Sequence, residues 1–95
     1  QLAHIVSNAY VKSPTAVNFK GFSAGSFKDL TRVAYLNETM WTELFLENRE
    51  NLAQEIDNII ARLREYGDAL KAQDAPALRQ LLKEGRERKE EVDRL

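Results

Sequence analysis

The 95-residue chain contains no cysteine, one histidine, two prolines and four glycines. Without thiols there can be no disulfide framework and no thiolate metal site. A single His4 also rules out a metal site built from several histidines of one chain. The apolar runs are only a few residues long, so no transmembrane helix is expected, and no signal peptide is visible. Lys and Arg number 14 against 15 Asp and Glu, giving a formal charge of -1. A chain so balanced lacks the segregated cationic face that marks a nucleic-acid binder. The missing cysteines fit a cytoplasmic location. The chain opens on Gln1 rather than Met and is expected to be a fragment or a processed product.

What is present points to helices. The length allows one domain with a modest core, and a domain this small gains from a partner that covers more apolar surface. Residues 38–95 are rich in Glu, Leu, Arg, Lys and Ala, the composition of long helices. Leu2, Ile5 and Val6 recur at helical spacing, predicting a first helix over 2–11 that ends before Ser13-Pro14. A loop follows over 18–26, carrying Gly21 and Gly25. Ser26 is placed as an N-cap, with Asp29 at the third helical position, for a helix over 27–35.

Asn37 is a second N-cap, with Glu38 suited to the positive first turn. Residues 38–73 make one long helix or two. Leu52, Ile56, Ile59, Ile60, Leu63, Tyr66 and Leu70 advance by alternating steps like a packed seam. Gly67 within it costs about 1 kcal/mol relative to Ala and suggests close packing or a bend. Asp74 caps the last helix, Pro76 suits its first turn, and Gly85 interrupts its apolar stripe. The charged stretch 84–94 is expected to project into water or lead to another domain. Strand alternation is nowhere sustained, so the fold class is all-α.

The densest cluster of unusual residues runs from Ser23 to Ala34. A glycine loop feeding a helix start offers free N–H groups to an anion. Arg32, one turn beyond Asp29, carries a planar fork that matches a carboxylate in two bonds. Spacing alone leaves open the plainer reading of an exposed Asp29–Arg32 helix pair worth about 0.2–0.5 kcal/mol.

The run Ala24-Gly25-Ser26-Phe27-Lys28-Asp29-Leu30-Thr31-Arg32-Val33-Ala34 resembles the AGxFRDxTRIA signature of prephenate and arogenate dehydrogenases. The stretch Thr39-Met40-Trp41-Thr42-Glu43-Leu44-Phe45-Leu46-Glu47-Asn48-Arg49 is similar to that family's MWxxIFxxNR segment, at a matching separation. The resemblance implies that residues 1–95 form a C-terminal helical domain, intertwined with that of a second subunit as a homodimer. It also implies a separate Rossmann domain, outside this chain, that holds NAD or NADP. The reaction implied is oxidative decarboxylation of prephenate (or arogenate) in tyrosine biosynthesis. No GxGxxG stands in the chain, so the fragment itself is expected to be inactive.

Residue by residue, Arg32 matches the arginine that binds the ring carboxylate, and Gly25 a glycine whose backbone approaches the ligand. Asp29 matches an aspartate that tethers or gates near that arginine, while a simple helix cap stays open. Trp41 matches a tryptophan lining the mouth of the site, while a core aromatic stays open. Gln1-Leu2-Ala3-His4 corresponds to the family's Ser-His-x-Pro-His stretch. His4 then matches its second histidine, and Gln1 stands where the first, which contacts the substrate side chain, is expected. A structural role for His4 remains the alternative. For the chain as a whole, the competing reading is a non-catalytic helical interaction module.

Overall fold

The computed structural model describes residues 1–12 and 24–95, with the side chains of 24–27 also outside the description. The described residues form five helices and no strand: α1 (Leu2–Val11), α2 (Ala24–Thr31), α3 (Glu38–Glu47), α4 (Arg49–Lys71) and α5 (Ala75–Asp93). The all-α expectation is therefore met. They divide into two compact units, Gln1–Ile56 and Asp57–Leu95, with the boundary inside α4.

In the first unit, α1 covers the predicted span and packs against α2. The expected stop at Ser13-Pro14 and the glycine loop up to residue 23 lie outside the described residues. Helix α2 differs from the expected span of 27–35. It begins at Ala24, so Ser26 sits inside the helix rather than at its N-cap, and it ends at Thr31. The early stop has a visible cause. Ala34 N–H donates back to Thr31 O at 3.0 Å, closing a turn, and Ala34 O is taken by the side chain of Asn8 at 3.0 Å. A carbonyl engaged by another helix's amide marks where the chain leaves helical geometry.

Asn37 caps α3 as its sequence suggests: Oδ1 accepts from Thr39 N at 3.1 Å and Met40 N at 3.0 Å. The 38–73 stretch proves to be two helices with a single non-helical residue, Asn48, between them. Around it, Asn48 N–H is shared between Leu44 O and Phe45 O, and the Arg49 guanidinium donates to Leu46 O at 3.2 Å. The ladder restarts when Leu52 N–H reaches Asn48 O at 3.0 Å. The break thus leaves few backbone groups unpaired, which is why it is tolerated. Leu52 is the one large buried hydrophobic side chain among the described residues.

In the second unit, α4 ends in a Schellman motif. Asp74 N–H reaches Ala69 O at 2.9 Å, and Gln73 N–H reaches Leu70 O at 3.1 Å. Gln73 occupies the left-handed position with φ 53°. Asp74 then turns round and caps α5, accepting from Ala77 N at 3.1 Å, with Pro76 in the first turn. Tyr66 OH donates to Leu81 O at 3.3 Å, joining α4 to α5 beside the buried Ala69.

The two helical glycines differ in their surroundings. At Gly67, a Cβ would meet nothing within 4 Å, so no close packing of described residues requires this glycine. Gly85 lies within α5, which runs on to Asp93, so the gap it leaves in the apolar stripe is not a break in the helix. A Cβ there would stand 3.7 Å from the Tyr66 hydroxyl, an ordinary contact.

The seam residues are only partly covered. Leu63 and Leu70 are each 60% exposed, Leu82 59% and Ile60 45%. Ile60, Leu63, Gly67 and Leu70 advance by three, four and three residues, so they share one face of α4. Beyond residue 82 every side chain is exposed, with i,i+4 pairs such as Arg86–Glu90 at 2.9 Å. Such exposed pairs contribute little to stability.

Candidate functional site

The sequence-marked residues fall into two groups on opposite sides of α1. A helix turns about 100° per residue, so Leu2, Ala3 and Val6 share one face while His4 and Asn8 share another. Against the first face, Asp29, Leu30, Arg32 and Val33 complete a shallow, mostly apolar depression of about 400 Å³. Both Asp29 and Arg32 are exposed, and among the described residues no ion pair joins them. The plainer reading of an Asp29–Arg32 pair is therefore not realised.

Arg32 lies just past the end of α2, while Gly25 lies in its first turn. At 1.5 Å per residue, about 10 Å of helix axis separates them. Arg32 thus follows the carboxyl end of α2, where a cation is favoured, and does not sit at its amino end. What Arg32 can do chemically follows from its setting. Among the described residues it forms no ion pair, and it stands on the rim of a depression whose other lining is aliphatic apart from the Asp29 carboxylate. A small organic acid with an apolar ring would place its carboxylate on the fork and its ring on Leu2, Val6 and Leu30.

The second group forms on the other face of α1. The His4 imidazole stacks on the Trp41 indole with centroids 4.5 Å apart and planes 28° from parallel. Phe45 lies behind the indole at 5.4 Å. Gln1 Oε1 accepts from Asn48 Nδ2 at 3.3 Å, and Asn48 Oδ1 accepts from Asn51 Nδ2 at 3.0 Å. With the Asn8–Ala34 bond, three contacts run in register: Gln1 with Asn48, His4 with Trp41, Asn8 with Ala34. As α1 advances its partners retreat along the chain, so α1 lies antiparallel to residues 34–48. A second hollow of about 370 Å³ opens there, lined by Asn8, Leu36, Trp41 and Phe45 among others.

His4 Nδ1 and the Ser7 hydroxyl are buried with no hydrogen-bond partner among the described residues. Ser7 is 1% exposed. Sequence reasoning singled out neither Asn8 nor Ser7, and touched Asn48 only as part of the Asn48-Arg49 pair of the second motif. The available signal was their spacing: Ser7 and Asn8 follow His4 by three and four residues and so extend its face of the helix. Among the described residues no group of His, Asp and Glu side chains could hold a metal ion, and no helix is long and apolar enough to cross a membrane.

The described residues thus define a class: a helical domain with an uncovered apolar stripe, an arginine-rimmed depression and an aromatic–imidazole wall. The chain belongs to the family described as "Prephenate dehydrogenase, dimerization domain", which it matches over residues 1–84. It is similar to a cyclohexadienyl dehydrogenase of Zymomonas mobilis, at 38% identity over 84 residues, covering 88% of this chain and 28% of that protein. It is also similar to a prephenate dehydrogenase of Lactococcus lactis, at 34% identity over 80 residues, covering 84% of this chain and 22% of that protein. A prephenate dehydrogenase of Bacillus subtilis is 30% identical over 59 residues, covering 62% of this chain and 16% of that protein. The chain therefore spans about a quarter or less of the length of these relatives. No solved structure matches it significantly.

Proposed function

We propose that this chain is the dimerisation and substrate-binding part of an NAD- or NADP-dependent prephenate dehydrogenase that works in the cytoplasm. Family membership supports the assignment, and one observation carries the site: an exposed, unpaired Arg32 on the rim of an apolar depression. In this reading Arg32 binds the ring carboxylate of prephenate (or arogenate), which aligns the ring for hydride transfer. Gln1, at the position expected to contact the substrate side chain, and His4 are further candidate substrate-binding residues on the other face of α1. Asp29 shares the depression with Arg32 and tethers or gates near it, and Gly25 approaches the ligand through its backbone. When bound in its own domain, the nicotinamide would supply the hydride acceptor, and loss of hydride and CO2 would leave the ring aromatic.

The cofactor belongs to a separate nucleotide domain. A doubly wound dinucleotide site needs a parallel sheet, whereas the described residues here are all helix, turn or coil. No step through the cofactor is assigned to these helices. The partner is a second copy of the chain. The uncovered stripe of Ile60, Leu63 and Leu70 supports this, because apolar rows of that kind mark protein interfaces. The same stripe is what a purely structural interaction module would show.

The test is an assay of the full-length protein with prephenate and NAD or NADP. Cofactor reduction with release of CO2 is expected. No reduction with either prephenate or arogenate would leave the interaction module as the surviving reading.

A further inference from the structure

We infer that two copies of this chain pair through α4 in antiparallel orientation, with Leu63 of each copy seated over Gly67 of the other and Ile60 over Leu70. The inference deepens the homodimer reading above and rests on it. Ile60, Leu63, Gly67 and Leu70 share one face of α4, and the three large side chains on it are exposed. Helix α5 meets α4 on a different side, marked by Tyr66 and the buried Ala69. All of α4 falls within the match to a dimerization domain, which points to a second copy as the occupant of the uncovered face.

The spacing selects the orientation. A two-fold pair brings the same patch of both copies together, so the patch must complement itself. Steps of three, four and three residues read the same in both directions along the helix, and both proposed pairs are centred on Glu65. Antiparallel pairing then sets a large side chain over a small one. At Gly67 a Cβ would meet nothing within 4 Å, which leaves room for a leucine of the second copy. Parallel pairing would set Gly67 on Gly67 and leave that gap empty. The charges agree. Asp57, Arg64 and Lys71 are exposed and follow one another every seven residues, so they run along one edge of the face. Antiparallel pairing brings Asp57 of each copy to Lys71 of the other, whereas parallel pairing sets like charge on like. Arg64 meets its own copy either way and decides nothing.

Cysteine cross-linking in the full-length protein tests this, and these 95 residues contribute no cysteine of their own. Ile60→Cys and Leu70→Cys are each expressed alone and then co-expressed, with disulfides located by mass spectrometry. About 15 Å of helix separates the two positions, too far for a bridge within one copy. A bridge between positions 60 and 70 is expected in the co-expressed sample, and none in either variant alone. A bridge formed by either variant alone would mean parallel pairing and overturn the inference. So would the absence of a 60-to-70 bridge in a protein that sediments as a dimer. Gly67→Leu gives a readout independent of thiols. The helix tolerates leucine there, but the new side chain meets Leu63 of the second copy, so the dimer dissociation constant should rise about tenfold or more. An unchanged constant would count equally against the register. A wild-type protein that sediments as a monomer would instead sink the homodimer reading on which the inference stands.

Discussion

The side-chain amide of Asn8 donates to the backbone carbonyl of Ala34 at 3.0 Å, tying the middle of α1 to the chain just after α2. That bond holds the turn from which Arg32 projects, two residues before Ala34. Removing it by Asn8→Ala leaves a part-buried carbonyl without its partner, at a cost of about 1–3 kcal/mol. The expected result is a lower unfolding midpoint together with a higher KM for prephenate in the full-length enzyme. An unchanged KM would mean that the Arg32 turn is held by other contacts.

Arg32 itself gives the most direct test of the depression. Losing a charged hydrogen-bonding pair costs about 1.5–3 kcal/mol, or roughly tenfold to a hundredfold in affinity. Arg32→Ala in the full-length enzyme is expected to raise KM for prephenate by that factor. Because the side chain is exposed and unpaired, the same change should barely alter stability, within about 0.5 kcal/mol. A large loss of stability with an unchanged KM would reverse the assignment.

Gln73 offers a test of the turn between α4 and α5. A non-glycine residue at φ 53° carries a left-handed penalty of about 1–2 kcal/mol, part of which glycine's extra unfolded-state freedom offsets. Gln73→Gly should therefore stabilise the protein by roughly 0.5–1 kcal/mol, read as a raised urea midpoint. Asp74→Ala should act in the opposite direction by about 1 kcal/mol, since it removes the α5 cap.

The exposed face of α4 predicts how copies associate. Leu63 is 60% exposed and flanked on its face by Ile60 and Gly67. Leu63→Glu keeps helix propensity but places a charge where an apolar contact is proposed. Sedimentation of the wild-type protein at micromolar concentration should give a dimer, and Leu63→Glu should shift it toward monomer. An identical mass for the two proteins would remove this face from the interface.

Much of this molecule follows from local rules. The spacing of Leu2, Ile5 and Val6 is enough for α1, and Asn37 and Asp74 cap their helices as their side chains dictate. Those signals act over three or four residues, within reach of a single turn. The tandem motifs likewise carried the family resemblance, because a motif is a property of order along the chain.

Contacts between distant segments decided the rest. Nothing near Asn48 in sequence requires the helix to break there, and nothing near Thr31 requires α2 to stop. Gln1 meets Asn48 and Asn8 reaches Ala34, so both ends are tied to α1, a segment distant in sequence. Periodicity likewise shows that His4 and Leu2 point to different faces of α1, but not that one face meets Trp41 and the other meets Arg32. Helical spacing fixes directions around one axis, and only packing of one axis against another determines which side chains share a site.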